Sequence, residues 1–291
     1  MFQGSFVALI TPFKNGKVDE DKLRELVEFH IKNGTMGIVP CGTTGESPTL
    51  SHEEHKRVIK IVIEQSRKRI PVIAGTGSNS TAEALDLTRD AKENGADACL
   101  VLCPYYNRPT QKGMYLHFKE IATKVHLPII IYNIPSRTGV NLEPQTLANL
   151  NAEYPNIVGV KEASGIMDQV SMIIKLCSKD FCVLSGDDSM TLPIMSLGGK
   201  GVISVVANIL PGEIADMVEK FLKGDIEGAR LLHYRLFPLV KVLFIETNPI
   251  PVKTAMSLLK MDTGEMRLPL SPMSEENLAK LKKAMQDYGL L

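Results

Sequence analysis

The sequence has no tryptophan, and only 5% of its 291 residues are aromatic. It has no excess of charge either, since 33 lysines and arginines balance 33 aspartates and glutamates. Basic residues never form a run of five that could follow a phosphate backbone, so we expect no nucleic-acid partner. The 44% hydrophobic content is enough for a large buried core, which argues against a disordered chain.

Long hydrophobic runs are missing as well. Apolar stretches such as residues 127–131 and 202–206 are much shorter than the ~18–20 residues of a membrane-spanning helix. Residues 1–5 (MFQGS) lack the positive charge with which a signal peptide begins. We therefore expect a cytoplasmic protein with no membrane partner.

Motifs for metal or nucleotide binding are also absent. The five cysteines include no C-x-x-C pair, so we expect them to be reduced core residues. His52 and His55 are three positions apart, whereas the zinc-protease motif places its histidines four apart. Residues 75–77 (GTG) lack the third glycine of a dinucleotide fingerprint. The sequence predicts neither a metal site nor a nucleotide cofactor.

The chain does contain a regular alternation of apolar, strand-like runs and amphipathic helical patterns. Eight candidate strands recur about 25–35 residues apart. They cover residues 6–11, 37–41, 71–75, 98–104, 129–133, 157–161, 182–185 and 201–206. Their near-continuous apolar character suits strands that are buried on both faces. Eight such units predict an α/β fold, the (β/α)8 TIM barrel.

Helix signals fall between these strands. S/T-x-x-E patterns that begin at Ser51 and Ser80 predict capping boxes at two helix starts. Residues 211–291 are more than one closing helix requires. We expect a barrel core over residues 1–210, then a closing helix and a small helical C-terminal extension over residues 211–291.

Reacting groups in such barrels lie where strands end, and Lys161 ends the sixth apolar strand. Burial lowers the pKa of a lysine, and an uncharged amine can attack a carbonyl to form a Schiff base. An ion pair with Glu162 or with another carboxylate explains the same position equally well. Lys253 is a rival amine, but it lies beyond the eighth strand in a segment with helical periodicity.

Three further strand ends carry candidate groups. Tyr132 ends the strand before Lys161, where its phenol could shuttle protons or be only a half-buried aromatic. Thr43 and Thr44, between two glycines, offer N–H groups and hydroxyls for a carboxylate, or form a simple turn. Arg137 can hold a second carboxylate, although a solvated loop arginine is the alternative.

Taken in order, four segments of the chain resemble the dihydrodipicolinate synthase family. They are residues 42–47 (GTTGES), 104–107 (PYYN), 132–139 (YNIPSRTG) and 160–163 (VKEA). The likeness covers essentially the whole chain. The wider superfamily of pyruvate-dependent aldolases shares the lysine and the tyrosine, and Thr43-Thr44 together with Arg137 favours the synthases over the N-acetylneuraminate lyases.

The resemblance implies a reaction that needs no cofactor. Lys161 would form an imine with pyruvate, and the enamine would attack L-aspartate 4-semialdehyde to give 4-hydroxy-tetrahydrodipicolinate, on the route to diaminopimelate and lysine. Tyr132, Thr43 and Tyr106 would relay protons, with Tyr106 supplied across a tight-dimer interface. The remaining implied contacts are Thr43 and Thr44 to the pyruvate carboxylate, Arg137 to the semialdehyde carboxylate, and the backbones of Gly186 and Ile203 near pyruvate.

The resemblance further implies a homotetramer built from two tight dimers, and inhibition by lysine at the dimer interface. The positions of that site are Ser47, Pro48, Leu50, His52, His55, Asn79, Glu83 and Tyr105. Pro48 stands where an alanine is common. Glu83 would pair with the ammonium of the effector, yet it is also the distal member of a predicted capping box.

Two other functions stay open at this point. One is another pyruvate-dependent aldolase or lyase, similar to N-acetylneuraminate lyase or to a 2-keto-3-deoxy sugar acid aldolase, which would use a different aldehyde. The other is a catalytically silent barrel that binds a ligand. A silent barrel requires the loss of a catalytic residue, and every residue that the resemblance requires is present.

Overall fold

A computed structural model describes residues 2–291. Eight parallel strands form one sheet, in the order β4-β1-β10-β9-β8-β7-β6-β5. These strands are β1 (Gly4–Ala8), β4 (Gly37–Val39), β5 (Ile73–Gly75), β6 (Ala98–Leu102), β7 (Ile129–Asn133), β8 (Ile157–Glu162), β9 (Cys182–Ser185) and β10 (Gly201–Ser204). A bridge between Ile38 and Val72 joins the two ends of the sheet and closes the barrel. The predicted TIM barrel is confirmed.

The strand positions agree with the prediction, but several strands are shorter than their apolar runs. The strand predicted at 6–11 begins earlier, at Gly4, and ends at Ala8, and the strand predicted at 201–206 ends at Ser204. Apolar residues beyond these strand ends stay buried in loops, so hydrophobicity alone overestimates the strands. A small antiparallel hairpin, β2 (Phe13–Lys14) and β3 (Lys17–Val18), was not anticipated from the sequence.

Helices follow the strands around the outside of the barrel. Their bounds are α1 (Glu20–Lys32), α2 (His52–Ser66), α3 (Thr81–Glu93), α4 (Gln111–Lys124), α5 (Pro135–Thr138), α6 (Pro144–Glu153), α7 (Met167–Leu176), α8 (Thr191–Ser196), α9 (Pro211–Leu222), α10 (Ile226–Val242), α11 (Ile250–Leu258) and α12 (Glu275–Tyr288). Within residues 2–291, no helix is both long and apolar enough to cross a membrane. The cysteines carry free thiols, and all but the half-buried Cys177 are buried.

Only one of the two predicted capping boxes is complete. Ser51 caps α2 and Glu54 returns a contact to the backbone of Ser51, as predicted. Ser80 also caps α3 through the backbone N–H of Glu83, but the Glu83 carboxylate turns away from the helix start. It contacts Ser78 and His52 instead, so this half of the prediction is wrong and Glu83 is available for another role.

Helices α9 to α12 follow the last barrel strand. The side chains of Leu281 and Met285 on α12 belong to the same hydrophobic cluster as Val7 and Leu9 of the barrel region. The C-terminal helices are therefore packed against the barrel. The division of the chain at residue 210 stays a prediction.

Candidate active site

Lys161 and Tyr132 lie side by side on neighbouring strands. Residue 132 of β7 is paired directly with residue 161 of β8. The Lys161 nitrogen lies 4.2 Å from the centroid of the Tyr132 ring, and both side chains are almost fully buried. Parallel strands in register thus place an amine and a phenol together inside the barrel, as the sequence suggested.

Glu162 does not pair with Lys161, so the predicted alternative of an ion pair with this residue is wrong. Successive residues of a strand point to opposite sides of the sheet. The Glu162 carboxylate accepts hydrogen bonds from Asn133 Nδ2 at 3.1 Å, from Gln169 Nε2 at 3.1 Å and from the backbone N–H of Ser164 at 2.7 Å. The Glu162 carboxylate is thus held by these three groups and forms no ion pair with the Lys161 amine.

Burial governs the protonation of both groups. It lowers the pKa of Lys161 to about 7, with the Asp188 charge acting in the opposite direction and the Arg137 charge in the same direction. Burial also raises the pKa of Tyr132 to about 12, opposed by the charge of Arg137 and by the Thr43 hydroxyl. Near neutral pH the site therefore combines a substantial fraction of uncharged amine with a protonated phenol.

Asp188 is the buried carboxylate that acts on Lys161, and no role for it was predicted from the sequence. Its oxygens accept hydrogen bonds from Ser204 Oγ at 2.5 Å and from the backbone N–H of Val205 at 2.9 Å. Burial raises the pKa of Asp188 to about 6. These bonds connect the segment after β9 to the end of β10. The available sequence signal was a second aspartate after a predicted strand.

Gly186 and Ile203 are the two candidates for backbone contacts. Gly186 lies close to the Lys161 side chain, and Ile203 lies in the barrel interior. A Cβ atom at Gly186 would lie 3.2 Å from Lys161 Cε and 2.7 Å from Ala163 Cβ, so only glycine leaves room for the lysine chain. Ile203 is buried with Tyr132 in the hydrophobic cluster that fills the barrel. The contact of these two backbones with pyruvate stays a prediction.

The carboxylate-binding candidates Thr44 and Arg137 are connected by one residue, Asn248. The Asn248 amide donates to Thr44 Oγ1 at 3.0 Å, and its backbone carbonyl accepts a hydrogen bond from Arg137 Nη2 at 3.1 Å. Thr44 is buried and Arg137 is exposed. No local pattern in the sequence predicts this bridge, because it joins residues far apart in the chain.

Tyr106 is not part of this cluster. Its side chain is 89% exposed, and its φ of 71° places it at the centre of a tight turn closed by the Asn107 N–H and the Tyr105 carbonyl at 2.8 Å. A positive φ is unusual for a bulky residue. The strained turn therefore holds this phenol outward, away from the Lys161 of its own chain.

A cavity of about 190 Å³ begins at Thr43 and Tyr132 and extends toward α2 and α3. It is lined by the predicted effector residues Ser47, Pro48, Leu50, His52, His55, Glu83 and Tyr105. Asn79 lies outside this lining, and its carbonyl accepts a hydrogen bond from Asn107 Nδ2 at 2.9 Å. In the part of the chain that the structure describes, no group of three or more His, Cys, Asp or Glu side chains is placed to hold a metal ion.

Known proteins resemble this chain along its whole length. The model of the dihydrodipicolinate synthetase family matches residues 1–288. The 4-hydroxy-tetrahydrodipicolinate synthase of Syntrophus aciditrophicus (strain SB) is 59% identical, with 100% of both chains covered. The crystal structure of dihydrodipicolinate synthase from Aquifex aeolicus has 56% identity and a TM-score of 0.98, with 99% of each chain covered.

A further solved structure is that of the enzyme from Cyanidioschyzon merolae with lysine bound. It is 42% identical, covers 100% of this chain and 99% of its own, and has a TM-score of 0.97. The fold and the sequence identity along the full length agree in these matches. This chain belongs to the dihydrodipicolinate synthetase family.

Proposed function

We propose that this protein condenses pyruvate with L-aspartate 4-semialdehyde through an imine on Lys161. The observation that carries the proposal is the buried Lys161 amine, whose pKa of about 7 leaves it partly uncharged beside the phenol of Tyr132. An uncharged amine at the mouth of a barrel is the nucleophile that Schiff-base chemistry requires. The product, 4-hydroxy-tetrahydrodipicolinate, belongs to the route to diaminopimelate and lysine.

In the proposed reaction, Lys161 Nζ attacks C2 of pyruvate, and loss of water gives the imine. Removal of a proton from C3 forms the enamine, whose C3 attacks the aldehyde carbon of the second substrate. The amino group of the semialdehyde portion then attacks C2, which closes the ring and releases the Lys161 amine. No resident cofactor is needed, because the protonated imine accepts the electron pair.

The other site residues bind and move protons in this scheme. Thr43 and Thr44 hold the pyruvate carboxylate, with the backbones of Gly186 and Ile203 beside it. Arg137 holds the carboxylate of the semialdehyde. Tyr132 and Thr43 relay protons to and from the reacting carbon, and Tyr106 of the partner subunit completes the relay, since the exposed phenol points away from its own site.

The surface supports a homotetramer made of two tight dimers. Tyr106 marks the first interface. The second is an exposed apolar face on the adjacent helices α7, α8 and α10 and the residues that flank them. This face is formed by Ile166, Met172, Leu197, Leu231 and Tyr234, which are 38–66% exposed. Several large apolar side chains exposed on neighbouring helices are typical of a protein-protein interface.

Lysine is the proposed effector of the cavity between α2 and α3. Glu83 contacts Ser78 and His52, and the ammonium of lysine would replace these neighbours. Burial lowers the pKa of His55 to about 4, so this residue stays neutral and does not repel a cation. Among residues 2–291 its Nδ1 atom has no hydrogen-bond partner and is free to receive one.

A decisive experiment measures pyruvate-dependent consumption of L-aspartate 4-semialdehyde, coupled to the reductase that uses the product. Lys161→Ala should abolish turnover. Borohydride added with pyruvate should label Lys161 and leave Lys253, the other buried lysine near the barrel mouth, unmodified in the same digest. Labelled Lys161 without turnover would indicate an aldolase for another aldehyde, and the absence of any adduct would refute the Schiff base. A cytoplasmic location fits a biosynthetic enzyme that uses these metabolites.

A further inference from the structure

Glu46 connects the Thr43-Thr44 loop to the residues that follow the barrel. It lies three positions after Thr43, its side chain is fully buried, and its φ is 53°. Oε1 accepts a hydrogen bond from Lys253 Nζ at 2.7 Å, and Oε2 accepts one from the backbone N–H of Arg267 at 3.2 Å. Both carboxylate oxygens are thus bound by the C-terminal part of the chain.

Lys253 is fully buried, and its side-chain nitrogen donates three hydrogen bonds. Besides the Glu46 carboxylate, it donates to the backbone carbonyls of Thr11 at 2.9 Å and of Glu265 at 2.5 Å. Thr11 in turn donates from its hydroxyl to the carbonyl of Gly45 at 2.7 Å, inside the same loop. Burial lowers the pKa of Lys253, and the charge of Glu46 opposes this effect. Because the amine donates to three protein partners, Lys253 is a poor candidate for the nucleophile.

A second contact reaches the same loop from the same part of the chain. Asn248 lies five residues before Lys253, and its amide holds the Thr44 hydroxyl. The segment from Asn248 to Arg267 therefore holds the loop at two points, the Thr44 hydroxyl and the Glu46 carboxylate. The proposed pyruvate carboxylate would bind to the threonine hydroxyls and the backbone N–H groups of this loop.

Stability alone does not explain a buried ion pair at this place. A buried pair is often no more stabilising than a well-packed apolar pair of the same volume, because both charges lose their hydration. Its better documented effect is to select one conformation among several. Here the conformation includes a left-handed backbone at Glu46, which is costly for a residue other than glycine.

We infer that Glu46 and Lys253 are positioning residues for pyruvate, which fix the Thr43-Thr44 loop in its carboxylate-binding conformation. This inference rests on the proposed function. The loop binds pyruvate and not the aldehyde, so loss of the pair affects the two substrates differently. A shift of about 1 Å in such a group can cost roughly 10²-fold in rate.

The test compares Glu46→Gln, Lys253→Met and the double variant Glu46→Gln/Lys253→Met with the wild type. Each single variant leaves one buried group without its partner and lowers the melting temperature, whereas the double variant recovers stability. In all three, the KM for pyruvate should rise about tenfold or more, and the KM for the semialdehyde should stay within about twofold. Unfolded enzyme does not contribute to turnover, so partial unfolding lowers the apparent kcat and leaves both KM values unchanged. A rise in the KM for pyruvate alone therefore cannot come from partial unfolding.

A double variant with wild-type KM for pyruvate would overturn the inference, because the pair would then be structural only. An equal rise in both KM values would overturn it as well. Should the variants that lack Lys253 fail to fold, Glu46→Gln alone, which keeps the shape of the side chain, decides between these outcomes. The proposed function fails separately, if the wild-type enzyme forms no borohydride-trapped adduct with pyruvate.

Discussion

The amine of Lys161 lies over the ring of Tyr132, 4.2 Å from its centroid. The face of an aromatic ring attracts a cation, while burial disfavours the charged form. Burial is the larger effect, and the pKa of Lys161 is about 7 as a result. In the proposed reaction, Tyr132 would thus supply a proton and also form part of the surroundings of the Lys161 amine.

Imine formation should depend on pH through Lys161. Because only the uncharged amine attacks pyruvate, the rate should rise with pH through about 7, the folded-state pKa, and level off above it. Arg137→Ala removes a charge that lowers this pKa, so the rise should move to higher pH. Borohydride quenching of pyruvate with the enzyme, from about pH 5 to 9, measures the curve.

Arg137→Lys is the matched control, since it keeps the positive charge and should leave the midpoint near that of the wild type. The semialdehyde is absent from this assay, so its binding to Arg137 does not enter. A midpoint that is the same in Arg137→Ala and in the wild type would contradict the electrostatic role of the guanidinium.

Tyr132→Phe should separate imine formation from turnover. The ring that packs on Lys161 remains, so the adduct with pyruvate should still be trapped. Loss of the phenol removes proton transfer and should lower kcat by roughly 10²–10⁴-fold. Trapping and steady-state rates on the same preparation check this, and a variant with near wild-type kcat would exclude Tyr132 from the relay.

Lysine inhibition should depend on the charge of Glu83. Glu83→Gln keeps the shape of the side chain and removes the partner of the effector's ammonium. Loss of a charge-assisted hydrogen bond worth about 1.5–3 kcal/mol should weaken inhibition roughly 10- to 100-fold, with little change in uninhibited kcat. Dose-response curves for both proteins provide the measurement. A wild-type enzyme whose rate is unaffected by millimolar lysine would eliminate the effector proposal.

Assembly should depend on the apolar face of α7, α8 and α10. Leu197→Asp places a charge on this face, and burying that charge in an interface is unfavourable. We expect the variant to sediment as a dimer while the wild type sediments as a tetramer. Leu268→Asp is a control, because Leu268 is 84% exposed and lies outside this face. Tetramers of Leu197→Asp would place the interface elsewhere.

The sequence predicted the barrel well because its evidence is local and periodic. Each strand is an apolar run of a few residues, and the order of the eight runs is the order of the chain. Lys161 and Tyr132 could be placed together for the same reason, since neighbouring units of a parallel barrel align their strand ends. Short-range patterns and one topological rule are sufficient for these features.

Contacts between distant parts of the chain could not be predicted in this way. The pairing of Glu46 with Lys253 joins residues 207 positions apart, and no local pattern signals it. Glu83 is an example of a local pattern that predicts the wrong contact. Its capping-box spacing predicted a contact with Ser80, but the carboxylate turns to His52 on another helix, where a tertiary partner outweighs the local one.

Closure of the barrel between β4 and β5 rests on a short stretch of backbone. The hydrogen bonds of this seam include Ile38 N–H to the Pro71 carbonyl at 3.0 Å and Gly75 N–H to the Pro40 carbonyl at 3.0 Å. Exchange of these two amides with deuterated water should be faster than that of the long β7–β8 ladder, because fewer bonds must open at once. Residue 40 leads directly into the Thr43-Thr44 loop, so pyruvate bound there should slow exchange across the seam. Pyruvate bound at this strand end, as proposed, would therefore also stabilise the closure of the barrel.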